Sequence, residues 1–422
     1  MEIIVQYGPW FIGLALLFGL YMTWGVGAND LANAMGTSVG AGALTVRQAI
    51  IIAAVFEFAG AVLAGGSVTS TIRKGIIEPS GLEANPEYLV YGMLAALLSA
   101  GFWLMIASQR GWPVSTTHSI VGALVGFGIV GIGVDSVNWG KIVSIVISWV
   151  ASPMLGGFLA YMFMQSIRKL ILNNPDPFEA AKKWGPYYIF LVGFVISLVT
   201  ITKGLKHLDI DISMINGFLM SVLVGVITAL AGGYLLRRAQ RDLEAEKDYR
   251  FASVEKVFAP MMIFTACAMA FAHGSNDVAN GIGPLAAIVS TVNSGGAILQ
   301  ESTLPIWILL VGGLGIVTGL VTMGYRVMRT IGKKITELTP TRGFCAELAA
   351  ASTVVIASGT GLPVSTTHIL VGAVMGVGLA RGIGALDLRM IGKIVASWII
   401  TLPIAGVVAA LLFFLFKGIF GG

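Results

Sequence analysis

Charge is what this sequence most lacks: of 422 residues only 11% are Asp, Glu, Lys or Arg, whereas 56% are hydrophobic and the mean hydropathy is +0.87. That is too little charge to coat a water-soluble globule of this length. Cysteine is nearly absent. Cys267 and Cys345 both fall in apolar runs as small core residues, with neither a disulfide pattern nor a zinc-type spacing. Ten-residue segments of alternating polarity are missing, which excludes an outer-membrane barrel. No Gly-Lys-Ser/Thr phosphate loop occurs in Gly-rich stretches such as Gly122 to Gly133, so ATP-driven transport is not indicated. The first ten residues hold no Lys or Arg, so the basic start of a cleavable leader is missing. The net charge of +5 sits mostly in short loops, where it carries orientation information and not a nucleic-acid footprint.

Long apolar runs fill the space that charge leaves empty. They lie at 10–43, 47–70, 88–108, 113–130, 138–164, 187–202, 214–236, 257–291, 304–328, 343–361, 363–380 and 390–416. Most are near the ~20 residues that a helix needs to span a bilayer, and two are longer. The expected fold class is therefore an all-α polytopic membrane protein with about 12 passages in the lipid bilayer. Its 55 glycines fit closely packed or broken membrane helices.

Two motifs occur twice. Gly27-Ala28-Asn29-Asp30-Leu31-Ala32-Asn33 returns 247 positions later as Gly274-Ser275-Asn276-Asp277-Val278-Ala279-Asn280, with five of seven residues identical. Pro113-Val114-Ser115-Thr116-Thr117-His118 returns unchanged 250 positions on as Pro363 to His368, and each copy continues into Val-Gly-Ala. Matches at nearly one offset imply an internal duplication. The runs 10–43 and 257–291 exceed a single span, and each carries its Asn-Asp motif near the middle, so both are expected to be discontinuous helices broken there.

Loop charge sets the orientation. The stretches 165–186, with Arg168, Lys169, Lys182 and Lys183, and 237–256, with Arg237, Arg238, Arg241, Lys247, Arg250 and Lys256, are the basic ones and belong in the cytoplasm. Counting outward then puts 326–342, with Arg326, Arg329, Lys333, Lys334 and Arg342, and 381–393, with Arg381, Arg389 and Lys393, inside, and both termini outside. This divides the chain into a first repeat (1–165), basic linkers with two connecting spans (166–256) and a second repeat (257–422). Five, two and five passages give the second repeat the opposite direction in the membrane. Inverted repeats of this kind are the architecture of many secondary transporters, with the site near the midplane at the repeat interface. Leu243 to Lys256 reads as a solvated helix of mixed charge.

The motifs supply polar chemistry inside an apolar surrounding, where one central ionised side chain costs ~2.5–3.5 kcal/mol on insertion scales. Asp30 with Asn33, and Asp277 with Asn280, are three residues apart and share a helix face; together with Asn29, Asn276 and carbonyls freed by a helix break they form a hard-oxygen set suited to a cation such as Na⁺. The alternative is that they only satisfy a kinked backbone. Ser115, Thr116 and Thr117, like Ser365, Thr366 and Thr367, follow a proline suited to the first turn of a helix, so hydroxyls sit beside unpaired N–H groups at a positive dipole end. That is an anion cradle, or else ordinary helix capping. Two cradles arriving from opposite sides could surround an oxyanion without Arg or Lys. Glu57 and Glu347 lie alone in apolar spans and are expected to face the bundle interior, binding a coupling ion or a proton, or stabilising a helix end. His118, His273 and His368 could each be a substrate donor, a proton carrier or a satisfied core residue. Adjacent Ser, Thr and His do not make a catalytic triad, and no catalytic residues or organic cofactor are expected.

At these motifs the sequence resembles the inorganic phosphate transporter (PiT) family, and the likeness covers essentially the whole chain outside the basic linker. The resemblance implies a symporter that moves inorganic phosphate inward with Na⁺ or H⁺ as coupling ion, built from two inverted repeats and assembled as a homodimer in the cell membrane. It implies transport roles for Asp30, Asn33, Asp277, Asn280, the hydroxyl triplets, Glu57, Glu347 and His273. Family members that carry sulfate keep a similar framework, which leaves a proton-coupled phosphate or sulfate symporter as one alternative and a phosphate-sensing receptor as another. The linker here is short, so regulatory functions of longer loops do not carry over.

The charge bias makes a first prediction. A cysteine placed at residue 245 should be labelled by membrane-impermeant thiol reagents only after cells are opened, and one at residue 3 from outside. The reverse pattern would overturn the inverted count.

Overall fold

A computed structural model describes residues 2–78, 82, 85–208, 210, 212–298, 304–328, 338–382 and 388–421, and nearly all of them are helical. Among the described residues, extended pairing is confined to one bridge, Ile77 with Val137. Each of the twelve apolar stretches is mostly helical, two of them divided between two helices, and among the described residues eight helices are long and apolar enough to cross a membrane. The chain is a multi-pass membrane protein. Of the basic residues used for orientation, Arg329, Lys333 and Lys334 lie outside the described residues.

The first half consists of α1 (Glu2–Gly40), α2 (Val46–Ala64), α3 (Gly66–Lys74), α4 (Glu87–Gln109), α5 (Thr116–Phe127) and α6 (Trp139–Ile167). Two linking helices follow, α7 (Pro177–Thr202) and α8 (Met214–Arg237), then the short α9 (Leu243–Asp248). The second half holds α10 (Ala252–Asp277), α11 (Ala279–Asn293), α12 (Ile306–Thr322), α13 (Pro340–Gly359), α14 (Thr366–Arg381) and α15 (Leu388–Phe420). The linker expected as one helix over 243–256 is divided, because Tyr249 is extended and α10 begins at Ala252. Its charges are paired: Arg241 reaches Asp176 and Glu246, both at 3.1 Å, and Lys256 reaches Asp242 at 2.5 Å. That lysine holds the Asp242 carboxyl below the usual carboxylate range.

Helices cross between the halves in matching pairs. α1 packs on α12 as α10 packs on α2, and α5 packs on α15 as α14 packs on α6. Glycine makes each crossing close. A Cβ on Gly27 would stand 2.0 Å from the Ile316 carbonyl oxygen, and one on Gly274 2.1 Å from that of Glu57. The glycine that opens each Asn-Asp motif is thus where its helix meets a helix of the other half. Gly122 and Gly126 approach Leu402 and Gly406 in the same way, as Gly372 and Gly376 approach Pro153 and Gly157. Lipid tails offer no hydrophobic drive for helix association, so this small-residue contact supplies the packing.

The expected break at the first motif is absent, since α1 runs 39 residues straight through Asn29 to Asn33. The second copy is interrupted at Val278, between α10 and α11. Pro284, whose counterpart in the first half is Thr37, lies inside α11, six residues beyond the interruption, and frees the Asn280 carbonyl without ending that helix. A second discontinuity falls at Gly65, between α2 and α3.

Gly27→Ala should therefore lower stability in detergent by ~1–3 kcal/mol or more, because the methyl meets backbone that cannot rotate away. Gly13→Ala, where nothing lies within 4 Å, should be neutral or stabilising. Equal thermal midpoints for the two variants would contradict the close crossing.

Candidate functional site

The site forms where the two Pro-Val-Ser-Thr-Thr-His segments meet. α4 ends in Arg110-Gly111, with Gly111 at φ 66°, and Trp112 N–H returns to the Ala107 carbonyl at 2.9 Å. α13 ends identically, with Gly361 at φ 72° and Leu362 N–H on the Ala357 carbonyl at 3.1 Å. Both are glycine-terminated Schellman turns, which reverse the chain. α5 and α14 then start inside the protein, not at its rim. Their first turns abut: Thr117 Oγ1 donates to the Val364 carbonyl at 2.9 Å and Thr367 Oγ1 to the Val114 carbonyl at 3.4 Å. Two positive dipole ends face one another there, an arrangement that favours negative charge between them.

The hydroxyls divide their work. Ser115 and Ser365 are the N-caps, accepting His118 N–H at 3.2 Å and His368 N–H at 3.3 Å. Thr366 Oγ1 donates to Asp277 Oδ2 at 2.8 Å. Thr367 Oγ1 accepts from Asn33 Nδ2 at 2.7 Å, and Thr116 and Thr117 lie 3.3 and 3.4 Å from Asn280 Nδ2. The amide of each Asn-Asp motif therefore reaches the hydroxyls of the other half.

The two motifs also meet each other. Asp30, His273 and Asp277 each offer a ligand atom within 4.8 Å of the others, all three buried. His273 Nε2 stands 3.0 Å from Asp277 Oδ2 and 3.8 Å from Asp30 Oδ2, and its Nδ1 stands 3.2 Å from Glu57 Oε2. These are ion-pair separations without hydrogen-bond alignment. Asn33 Nδ2 donates to Asp30 Oδ1 at 2.8 Å. What remains is a set of acceptors: Asp30 Oδ2, Asn33 Oδ1, Asp277 Oδ1 and Asn280 Oδ1 are buried with no hydrogen-bond partner among the described residues. Buried oxygens normally find a donor, and a hard cation takes its place where none exists.

Other expected residues stand apart from this cluster. Glu347 is fully buried, as expected, but its carboxylate accepts from the hydroxyls of Thr37, Ser38 and Thr265, tying α13 to α1 and α10. His118 Nδ1 lies 3.2 Å from the Trp398 carbonyl and His368 Nδ1 3.4 Å from that of Trp149, which places the ring proton on Nδ1 in both. The two rings meet at 4.5 Å and rest on Trp149 and Trp398. Asn29 and Asn276 point to the turns before α5 and α14: Asn29 Nδ2 donates to the Trp112 carbonyl at 3.0 Å and to Ser108 Oγ at 3.3 Å, and Asn276 Nδ2 to the Leu362 carbonyl and Ser358 Oγ, both at 3.1 Å. Ser108 and Ser358 escaped the motif reading although the duplication extends to them. Ile106-Ala107-Ser108 and Ile356-Ala357-Ser358, with Gly111 and Gly361, lengthen the match upstream of the proline.

The sequence agrees with this geometry over its length, because residues 26–409 match the model of the phosphate transporter family. The chain belongs to that family. It is 51% identical over 420 residues to a Haemophilus influenzae protein named as a candidate phosphate permease, covering all of both chains. It is 44% identical to the chloroplastic inorganic phosphate transporter 2-1 of Arabidopsis thaliana, covering 96% of this chain and 72% of that protein. A solved structure titled as the sodium-dependent phosphate transporter superposes with a TM-score of 0.89 at 39% identity, over 97% of this chain and 99% of that one.

The division of labour among hydroxyls predicts different losses on substitution. Thr116→Ala and Thr366→Ala should weaken phosphate binding by roughly tenfold or more, since a hydrogen bond to a charged group contributes ~1.5–3 kcal/mol. Ser115→Ala and Ser365→Ala should in addition lower thermal stability by ~0.5–2 kcal/mol as lost caps. Titration calorimetry on folded protein checks the affinities and thermal melts check the stabilities, and unchanged phosphate affinity in the threonine variants would remove the anion from this position.

Proposed function

We propose that the chain is a secondary active symporter that imports inorganic phosphate with Na⁺, by alternating access at a site between two inverted repeats. The observation that carries this reading is the set of buried, partnerless oxygens of Asp30, Asn33, Asp277 and Asn280 beside two converging helix starts. The oxygens suit Na⁺, and the helix starts with Thr116, Thr117, Thr366 and Thr367 suit a tetrahedral oxyanion. A cation at the carboxylates and an anion at the dipole ends neutralise one another, so neither binds well alone. That interdependence is what couples two fluxes.

Supporting the inverted repeats at 1–165 and 257–422 are the reciprocal contacts, Thr117 with Val364 against Thr367 with Val114, and His118 with Trp398 against His368 with Trp149. A two-fold axis through the abutting helix starts generates such pairs. Residues 166–256 connect the repeats, with the basic linkers in the cytoplasm, both termini outside and the protein a homodimer in the cell membrane. The sodium dependence named for the similar structure supports the choice of ion.

Proton coupling is the second reading, and His273 is what favours it. Both its ring nitrogens face carboxylates, so a proton on either nitrogen meets an acceptor. Phosphate uptake into proteoliposomes decides between them. An inward Na⁺ gradient at equal pH should drive accumulation above the outside concentration, and Asp30→Asn and Asp277→Asn should each flatten the Na⁺ activation curve. Accumulation driven by a proton gradient alone would replace Na⁺ by H⁺. Preferred uptake of sulfate would replace the anion, and equilibration without accumulation would sink the symporter.

A further inference from the structure

Each Asn-Asp motif contains one amide that leaves the carboxylate cluster and grips the turn leading into the hydroxyl-bearing helix of its own half. Asn29 donates to the Trp112 carbonyl and Ser108 Oγ, and its Oδ1 accepts Val114 N–H at 3.3 Å. Asn276 makes the matching pair with the Leu362 carbonyl and Ser358 Oγ, and Ser275 Oγ adds a bond to Ser358 at 3.1 Å. All of these polar side chains are buried. The serines hold the amides in place: Ser358 Oγ donates to its own helix at the Val354 carbonyl, 3.0 Å away, which turns its lone pairs toward Asn276.

The covalent neighbours give these contacts their meaning. Asn29 directly precedes Asp30, and Val114 directly precedes Ser115 and Thr116; Asn276 and Asp277 stand in the same relation to the turn at Leu362. Each turn is internally rigid, closed by its Schellman bonds, and so moves as one piece with whatever holds it. Within each half the described amide contacts above hold it to the helix that carries the carboxylate. The contacts of Asn33 and Asn280 with threonine hydroxyls, by contrast, run between the halves.

We propose that Asn29 with Ser108, and Asn276 with Ser358, are positioning residues that transmit cation occupancy at each carboxylate to the phosphate-facing hydroxyls of the same repeat. The proposal rests on the Na⁺ and phosphate sites assigned above. A cation drawing in Asp30 shifts the α1 backbone, the adjacent amide shifts with it, and the turn before α5 follows. Neither serine is among the side chains assigned above to cation or phosphate; each contacts the motif asparagine instead. Their removal therefore lowers the mutual reinforcement of the two ligands and leaves each ligand's own contacts in place.

The test uses the purified full chain in detergent, with phosphate affinity measured by calorimetry in NaCl and in choline chloride. Na⁺ binding alone is followed by tryptophan fluorescence. In the wild type, NaCl should tighten phosphate binding. In Ser108→Ala and in Ser358→Ala that tightening should shrink by about fivefold, and further in the double variant, while phosphate affinity in choline and Na⁺ affinity alone stay at wild-type values. A purely structural bond would weaken phosphate equally in both salts, and that result overturns the proposal, as does an unchanged ratio in both variants. Each serine lies in a different half, so if one variant does not fold the other carries the same test. Loss of any NaCl effect in the wild type would refute the Na⁺ site itself, a distinguishable failure.

Discussion

Asp30 and Asp277 lie close together and fully buried, and an ionised carboxylate in such a place costs several kcal/mol unless positive charge or donors offset the loss of water. The surrounding structure can be read as the means of supplying that offset. His273 stands between them, Asn33 and Thr366 donate to them, and two helix starts aim their dipoles into the same volume. The supply is incomplete, as the partnerless oxygens show, and the deficit matches what a desolvated cation provides. A structure content with its own ion pairs would have no reason to bind one.

Close glycine crossings and buried capping serines serve this same requirement. They bring backbone near enough for helix starts to abut without a layer of side chains between them. The halves are not copies in their charge, however. Glu57 packs against Gly274 where Ile316 packs against Gly27, and His273 occupies the place that Val26 has in the first motif. The Glu57 to His273 pair thus exists in one orientation only. Glu347, matched with Leu97, breaks the symmetry a second time.

Much of this was legible in the residues. Low charge and long apolar runs gave a helical membrane protein, and the paired motifs marked the parts that converge, because duplicated polar residues inside apolar segments need a common reason. Three features were not legible. The break at the first motif was inferred from length, but a 39-residue helix carries that motif without interruption, and length alone does not say where a long helix divides. The segments 88–108 and 113–130 are indistinguishable from two ordinary passages by hydropathy, so nothing local says that α5 begins against α14, a contact 247 residues away in sequence between Thr117 and Val364. Ser108 and Ser358 look like any small residues near a helix end until the matching asparagines are seen to reach them.

The exchange of partners between halves has a consequence for how the chain is made. α5 packs on α4, which precedes it, but its backbone crossing at Gly122 and Gly126 is with α15, and His118 meets the Trp398 carbonyl 280 residues downstream. Synthesis is directional, so α5 and its α4 neighbour are complete long before the surface of α15 exists. Until that helix arrives, Gly122, Gly126 and the His118 ring lack the partners they have in the complete chain. The crossing of α5 with α15 is thus among the last contacts of assembly to form, however early α5 itself is complete.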